Sequence, residues 1–132
     1  MENLNDTAGN AKQKILVVDD DEIHLEMVNA VLEEYYHVFT AKSCKEALGL
    51  LYQALIPKLI LLDIVMPEMD GWATYGRIKA IGGLYDTPIA FFTSSDDPKD
   101  LQRAREMGAV DYFKKPFERD DLVNRIQKIM KR

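Results

Sequence analysis

The run Leu59-Ile60-Leu61-Leu62, introduced by Pro57-Lys58 and cut off by Asp63, constrains this chain more than any other stretch. Apolar residues at consecutive rather than alternate positions call for a strand buried on both faces, which means a parallel sheet covered by helices. Asp63 then stands at the carboxyl end of that strand, the edge of an open α/β sheet where ligand sites form. Taken alone it has two readings, an aspartate that starts a turn or a carboxylate placed for chemistry. A second run repeats the arrangement: Ile15-Leu16-Val17-Val18 ends in Asp19-Asp20-Asp21.

The intervening segments have helical periodicity. From Glu22 to about Tyr35, Leu25, Val28, Val31, Leu32 and Tyr35 recur at three and four, which predicts an amphipathic helix. Val38 to Ala41 is a short strand, and Ser43 and Glu46 form a capping box for a helix reaching about Ala54. Cys44 falls in that helix's first turn and is assigned no role. Asp70-Gly71 opens a third helix to about Ala80, the least secure of the set because Thr74, Tyr75 and Gly76 are weak helix formers. Pro88 to Phe92 is a fourth strand ending in Thr93. Asp97-Pro98 and Gly108 bracket a helix over residues 98–107 with a highly charged exposed face. Val110 to Phe113 is a fifth strand leading into Lys114-Lys115-Pro116. Leu122, Ile126 and Ile129 mark the inner face of a last helix, whose acidic start (Glu118, Asp120, Asp121) and basic end (Lys128, Lys131, Arg132) suit its macrodipole. Five strands alternating with five helices call for parallel strands joined by right-handed crossovers, hence a doubly wound α/β three-layer sandwich.

The 132 residues, 47% of them hydrophobic, suffice for one core. Residues 1–13 are polar and aperiodic and read as a flexible tail, leaving 14–132 as the single domain. A net charge of -5 argues against direct nucleic-acid binding, which depends on clustered Lys and Arg. The single cysteine excludes an internal disulfide, the first residues lack the apolar core of a signal peptide, and no apolar run is long enough to cross a bilayer. The expectation is a soluble cytoplasmic protein whose membrane connection, if it has one, runs through a partner.

A parallel sheet brings all its strand carboxyl ends to one edge, so Asp19, Asp20, Asp63, Thr93 and Lys115 are expected to converge. Carboxylates brought together repel one another until one takes up a proton or a cation joins them. Hard oxygen donors with no accompanying Cys or His suit Mg²⁺, which is often completed by a phosphate oxygen. Asp63 is then a candidate nucleophile for a phosphoryl group, with Mg²⁺, the Lys115 ammonium and the Thr93 hydroxyl stabilising charge on its oxygens.

These residues resemble the response-regulator receiver domains of two-component signalling, the chemotaxis-regulator-like proteins among them. The likeness covers about Lys14 to Met130. It rests on Ile15 to Asp21, on Leu61-Leu62-Asp63-Ile64-Val65-Met66-Pro67-Glu68-Met69-Asp70-Gly71, on Pro88 to Thr93, and on Gly108 to Phe117. The resemblance implies a flavodoxin-like sandwich with strand order 2-1-3-4-5. It implies Asp63 as phosphoacceptor, and Asp19, Asp20, Asp63 and the Val65 backbone carbonyl as the Mg²⁺ site. Lys115 and Thr93 would contact the phosphoryl group, and the Lys115-Pro116 peptide would be cis. Lys114 competes for the lysine role, but strand alternation points it the other way and only Lys115 directly precedes proline. The resemblance further implies a switch made of Thr93 and Tyr112, a readout face on the fourth helix, fifth strand and fifth helix, and a histidine kinase or histidine phosphotransfer protein as donor. A phosphorylation-dependent homodimer is compatible with it. Such a module is not an enzyme acting on a separate substrate; its chemistry is its own phosphorylation and dephosphorylation. The rival classes are a Mg²⁺-dependent phosphohydrolase of the haloacid dehalogenase type, which also uses an aspartate nucleophile but needs a cap or substrate pocket that is not evident in the sequence, and a degenerate receiver that is never phosphorylated. Val65 offers no polar side chain to orient an attacking water, so a long-lived phosphoryl group is expected.

Overall fold

The computed structural model describes residues 12–131. Residues 1–11 of the expected tail, and Arg132, lie outside the described residues. Ten elements follow in strict alternation: β1 (Lys14–Val18), α1 (Glu22–Leu32), β2 (His37–Ala41), α2 (Cys44–Tyr52), β3 (Leu59–Asp63), α3 (Gly71–Lys79), β4 (Ile89–Thr93), α4 (Pro98–Met107), β5 (Asp111–Lys114) and α5 (Arg119–Met130). The strands are all parallel and lie in the order β2-β1-β3-β4-β5, which is the doubly wound topology expected from the alternation and the resemblance.

Two apolar clusters fill the two sides of the sheet. On one side Ile15, Val17, Leu59, Leu61, Phe92 and Phe113 pack against Leu25, Val28 and Leu32 of α1 and Leu122, Ile126 and Ile129 of α5. On the other, Leu16, Val18, Ile60, Leu62 and Phe91 pack against α2, α3 and α4. Successive residues of one strand thus feed opposite cores, which is why β3 and β4 are buried along their whole length and read as unbroken apolar runs.

Every helix is started by a side chain that accepts from its free amides. Asp21 caps α1, Ser43 caps α2, Asp70 caps α3, Asp97 caps α4 with Pro98 in its first turn, and Glu118 caps α5. The capping box of α2 is shifted by one residue: Ser43 Oγ accepts from the Glu46 amide, but Glu46 Oε1 accepts from the Lys42 amide at 2.8 Å rather than from that of Ser43. Gly108, in the left-handed conformation at φ 93°, ends α4. The Lys115-Pro116 peptide is cis.

Several boundaries differ from the sequence expectation. Helix α1 stops at Leu32 instead of about Tyr35, and it is Tyr36, not Tyr35, that turns into the core. Helix α2 stops at Tyr52, closed by amides of Ala54 and Leu55 that donate to the carbonyls of Leu51 and Leu50, with Ala54 at φ 74°. Strand β5 starts at Asp111 rather than Val110, whose amide nevertheless donates to Ile89 O at 2.8 Å. The insecure third helix is present because Trp72, Thr74, Tyr75 and Ile78 are all buried, and that burial outweighs poor intrinsic propensity. Among the described residues no helix is long and apolar enough to cross a membrane.

Candidate functional site

Register carries the site residues to one edge. Val18 of β1 pairs with Leu62 of β3, so Asp19 leaves its strand level with Asp63. Asp63 pairs with Phe92, the residue before Thr93, and Thr93 pairs with Lys114, the residue before Lys115. The ladders continue one bond beyond the strands: the Asp19 amide donates to Ala41 O at 3.0 Å, that of Ile64 to Phe92 O at 3.1 Å, and that of Lys115 to Thr93 O at 2.7 Å. Each chain exit is thereby fixed, and with it the side chain that follows.

Asp19 and Asp63 are buried, and Asp20 is exposed at the mouth. Oxygens from the three carboxylates lie within 4.8 Å of one another. Lys115 Nζ reaches between them, 2.8 Å from Asp19 Oδ2 and 3.4 Å from Asp63 Oδ2. Asp19 accepts further bonds, on Oδ1 from the Asp21 amide at 2.9 Å and on Oδ2 from His24 Nδ1 at 2.6 Å.

This inventory separates two neighbouring carboxyls electrostatically. Burial, and then the charge of Asp19, push Asp63 up to about 6, with Lys115 working in the other direction. Burial also works upward on Asp19, but the bonds from His24, Lys115 and the Asp21 amide outweigh it and lower its pKa to about 2. Burial pulls on the Lys115 ammonium in the deprotonating direction and is outweighed by Asp19 and Asp63, so its pKa rises. The site therefore has more negative than positive charge, and one of its carboxyls holds a proton into the mildly acidic range. Three hard oxygen donors at this spacing, with no thiolate or free imidazole among them, fit Mg²⁺.

Thr93 is fully buried, and its Oγ1 accepts from the Ser95 amide at 3.0 Å, pinning the loop that follows β4. The half-buried Tyr112 ring packs on the side of the sheet covered by α4. Its hydroxyl is buried without a hydrogen-bond partner, and burial raises its pKa while the nearby Thr93 hydroxyl works against the rise. Val65 stands two residues past Asp63 with its side chain exposed. Lys114 points away from the carboxylates: its Nζ donates to Ser95 O at 2.7 Å and pairs with Asp96.

Sequence reasoning missed His24. Its signal was present, because residue 24 is in phase with Val28 and Leu32 at four-residue spacing, so a polar ring sits on the apolar stripe of α1.

Residues 15–127 match the family described as response regulator receiver domain. A Vibrio cholerae protein named "Probable cyclic di-GMP phosphodiesterase" is 40% identical over 112 residues, 85% of this chain and 25% of that protein. The Helicobacter pylori transcriptional regulatory protein CrdR is 39% identical over 121 residues, 89% of this chain and 54% of that protein. The chain thus spans between a quarter and about half of the length of these relatives. Among solved structures, the Vibrio cholerae chemotaxis protein CheY4 superposes with a TM-score of 0.83 at 30% identity, covering 90% of this chain and 99% of that one. The phosphodiesterase name belongs to a protein four times the length matched, so it says nothing against a signalling module here. With the family pattern matched from the first strand into the last helix, the chain belongs to the response regulator receiver domains, the phosphorelay modules of two-component signalling.

Proposed function

We propose that Asp63 is the phosphoacceptor of this receiver domain, charged by a histidine kinase or a histidine phosphotransfer protein, and that its phosphorylation switches a partner-binding face. The observation that carries the reading is Lys115 Nζ lying 2.8 Å from Asp19 and 3.4 Å from Asp63 at the end of the sheet. A fixed cation beside a buried carboxylate serves phosphoryl transfer, because it stabilises charge that an incoming phosphoryl group adds. Asp19, Asp20, Asp63 and the Val65 carbonyl would hold Mg²⁺. When bound, the ion offsets the negative charge of the phosphoryl oxygens.

In the transfer an Asp63 carboxylate oxygen forms a bond to phosphorus as the bond from phosphorus to the donor imidazole nitrogen, or to the acetate oxygen of acetyl phosphate, breaks. The electron pair leaves with the donor. Lys115 exchanges a carboxylate partner for a phosphoryl oxygen, and the Thr93 hydroxyl donates to another. Thr93 cannot turn inward without releasing the Ser95 amide, so the loop after β4 responds to the phosphoryl group.

Tyr112 is the second half of the switch. Its hydroxyl is buried without a hydrogen-bond partner at a cost of about 1–3 kcal/mol, which favours any rotamer that returns the hydroxyl to water. Phosphorylation biases the pair only through differential contacts with the two states. The α4–β5–α5 surface then docks the downstream protein target or, in the phosphorylated form, a second copy of the domain. The reading places the module in the cytoplasm, where histidine kinases draw on ATP.

Incubation with acetyl phosphate and Mg²⁺, followed by intact mass, is expected to give one phosphoryl adduct that Asp63→Asn abolishes. No adduct, or an equal adduct on the variant, rejects the phosphoacceptor assignment, and turnover of small phosphate esters would favour a hydrolase. The apolar Val65 side chain supports a long-lived adduct. Val65→Asn is expected to shorten its lifetime, and an unchanged lifetime removes that part of the reading.

A further inference from the structure

His24 takes no part in the roles assigned above, yet it is joined to the site. It sits in the first turn of α1, its side chain 8% exposed, with Nδ1 2.6 Å from the 2% exposed Asp19 carboxylate. Its ring meets the edge of Phe92 at 4.9 Å and of Phe117 at 5.9 Å between centroids, so it is wedged between β4 and the segment following the cis peptide. The plain alternative is a core aromatic that happens to touch an acid. Two observations argue against it. The bond ends on Oδ2, the same oxygen that holds Lys115, and Nε2 is buried with no partner, so among the described residues the ring's hydrogen bonding is all on its Nδ1 side. A carboxylate only accepts, so the hydrogen between the two groups belongs to Nδ1.

We propose that His24 is a positioning residue for Asp19. It supplies a fixed donor that keeps Asp19 aimed into the site when Lys115 leaves Oδ2 for the phosphoryl group. The inference rests on the phosphoacceptor reading only for why Lys115 leaves; the effect on Asp19 is separately measurable. Lys115 is its only other side-chain donor among the described residues, so without His24 the Oδ2 side of Asp19 would be unheld at the moment it must hold the cation, with only the Asp21 amide left on Oδ1. Hydrogen bonds behind a ligating carboxylate usually matter for affinity, and their loss typically weakens metal binding by about 10- to 100-fold.

The test is Mg²⁺ binding by isothermal titration calorimetry at pH 8, in wild type, His24→Leu and His24→Asn. His24→Leu keeps the apolar contacts and loses the donor, and it is expected to raise the Mg²⁺ Kd at least about tenfold. In His24→Asn an amide nitrogen takes the place of Nδ1, and most of the affinity is expected to return. A leucine variant that binds Mg²⁺ like wild type, or an asparagine variant as weak as leucine, overturns the proposal. Should the variants fail to fold, ¹⁵N spectra of the wild-type imidazole decide: Nδ1-protonated, with the Nδ1–H resonance moving on Mg²⁺ addition, is expected, and an Nε2-protonated ring overturns it. No phosphoryl group enters these measurements, so a wild-type protein that binds Mg²⁺ but forms no adduct would reject the phosphoacceptor reading and leave this one standing.

Discussion

Gly71 is where the fold tolerates least, and replacing it with alanine turns that into a measurable energy. A Cβ built there lies 2.3 Å from the Asp63 carbonyl oxygen, 2.7 Å from Ile64 Cα and 3.0 Å from the Asp63 carbonyl carbon. All three are backbone atoms at the end of β3. They cannot retreat, because Asp63 pairs with Phe92 and the Ile64 amide donates to Phe92 O. Reaching a favourable contact distance requires roughly 1 Å of movement, which falls on the first turn of α3. That movement breaks the 2.7 Å bond from the Gly71 amide to Ile64 O, a loss of about 1 kcal/mol. Overpacking adds about 1–3 kcal/mol, giving a destabilisation of about 2–4 kcal/mol. Gly76→Ala is the internal control. It is in the same helix, with nothing beyond the helix's own neighbouring backbone within 4 Å of the added Cβ, and is expected to stabilise by about 0.5–1 kcal/mol. Urea unfolding of the metal-free protein, followed by circular dichroism, reads both. The reasoning fails if Gly71→Ala costs less than about 0.5 kcal/mol, or if the two variants shift stability in the same direction.

Three further outcomes follow from the geometry. The pKa of Asp63, pushed up to about 6 against an unfolded value near 3.9, means that the native metal-free protein binds the extra proton between those limits. Its stability is expected to rise as pH falls from about 7 to 5 while Mg²⁺ affinity weakens, and calorimetry showing flat affinity across that window would contradict the assignment. Tyr112→Phe removes the buried unpaired hydroxyl and is expected to stabilise by about 1 kcal/mol in thermal melts; a loss of that size would mean that the hydroxyl is satisfied. Ala54→Gly relieves a left-handed backbone at φ 74° and is expected to stabilise by about 0.5–1 kcal/mol in urea, with a destabilised variant refuting strain at that turn.

How far the sequence could be read depends on whether the cause of each feature is local. The strands over 15–18 and 59–63 announce themselves because burial on both faces forces consecutive apolar residues, and the acids behind them share an edge because parallel strands do. The starts of α2, α3 and α4 were legible because a cap acts within three residues of itself, whereas α1 and α5 were legible through their apolar periodicity, and their caps Asp21 and Glu118 only in the structure. The end of α1 was not legible, since adjacent Tyr35 and Tyr36 are alike in sequence and only tertiary packing buries Tyr36 in the cluster that contains Leu32 and leaves Tyr35 exposed. Long-range polar contacts were equally hidden. The Tyr75 hydroxyl donates to Met107 O at 2.9 Å, fastening the end of α4 to α3 across 32 residues, and nothing in either segment signals it.

His24 lies between these cases. Its periodicity was visible, but its partner was not, because residue 19 is in β1 and residue 24 in α1, and the turn between them decides whether they meet. That turn is set by Asp21, whose Oδ1 caps α1 through the amides of Ile23 and His24 while its own amide donates to Asp19 Oδ1. The three consecutive acids are therefore not interchangeable: Asp19 is held, Asp20 is left exposed at the carboxylate cluster, and Asp21 builds the corner that brings His24 back onto Asp19. An Asp-Asp-Asp run reads as a charge cluster in one dimension and as three separate tasks once the strand ends and the helix begins.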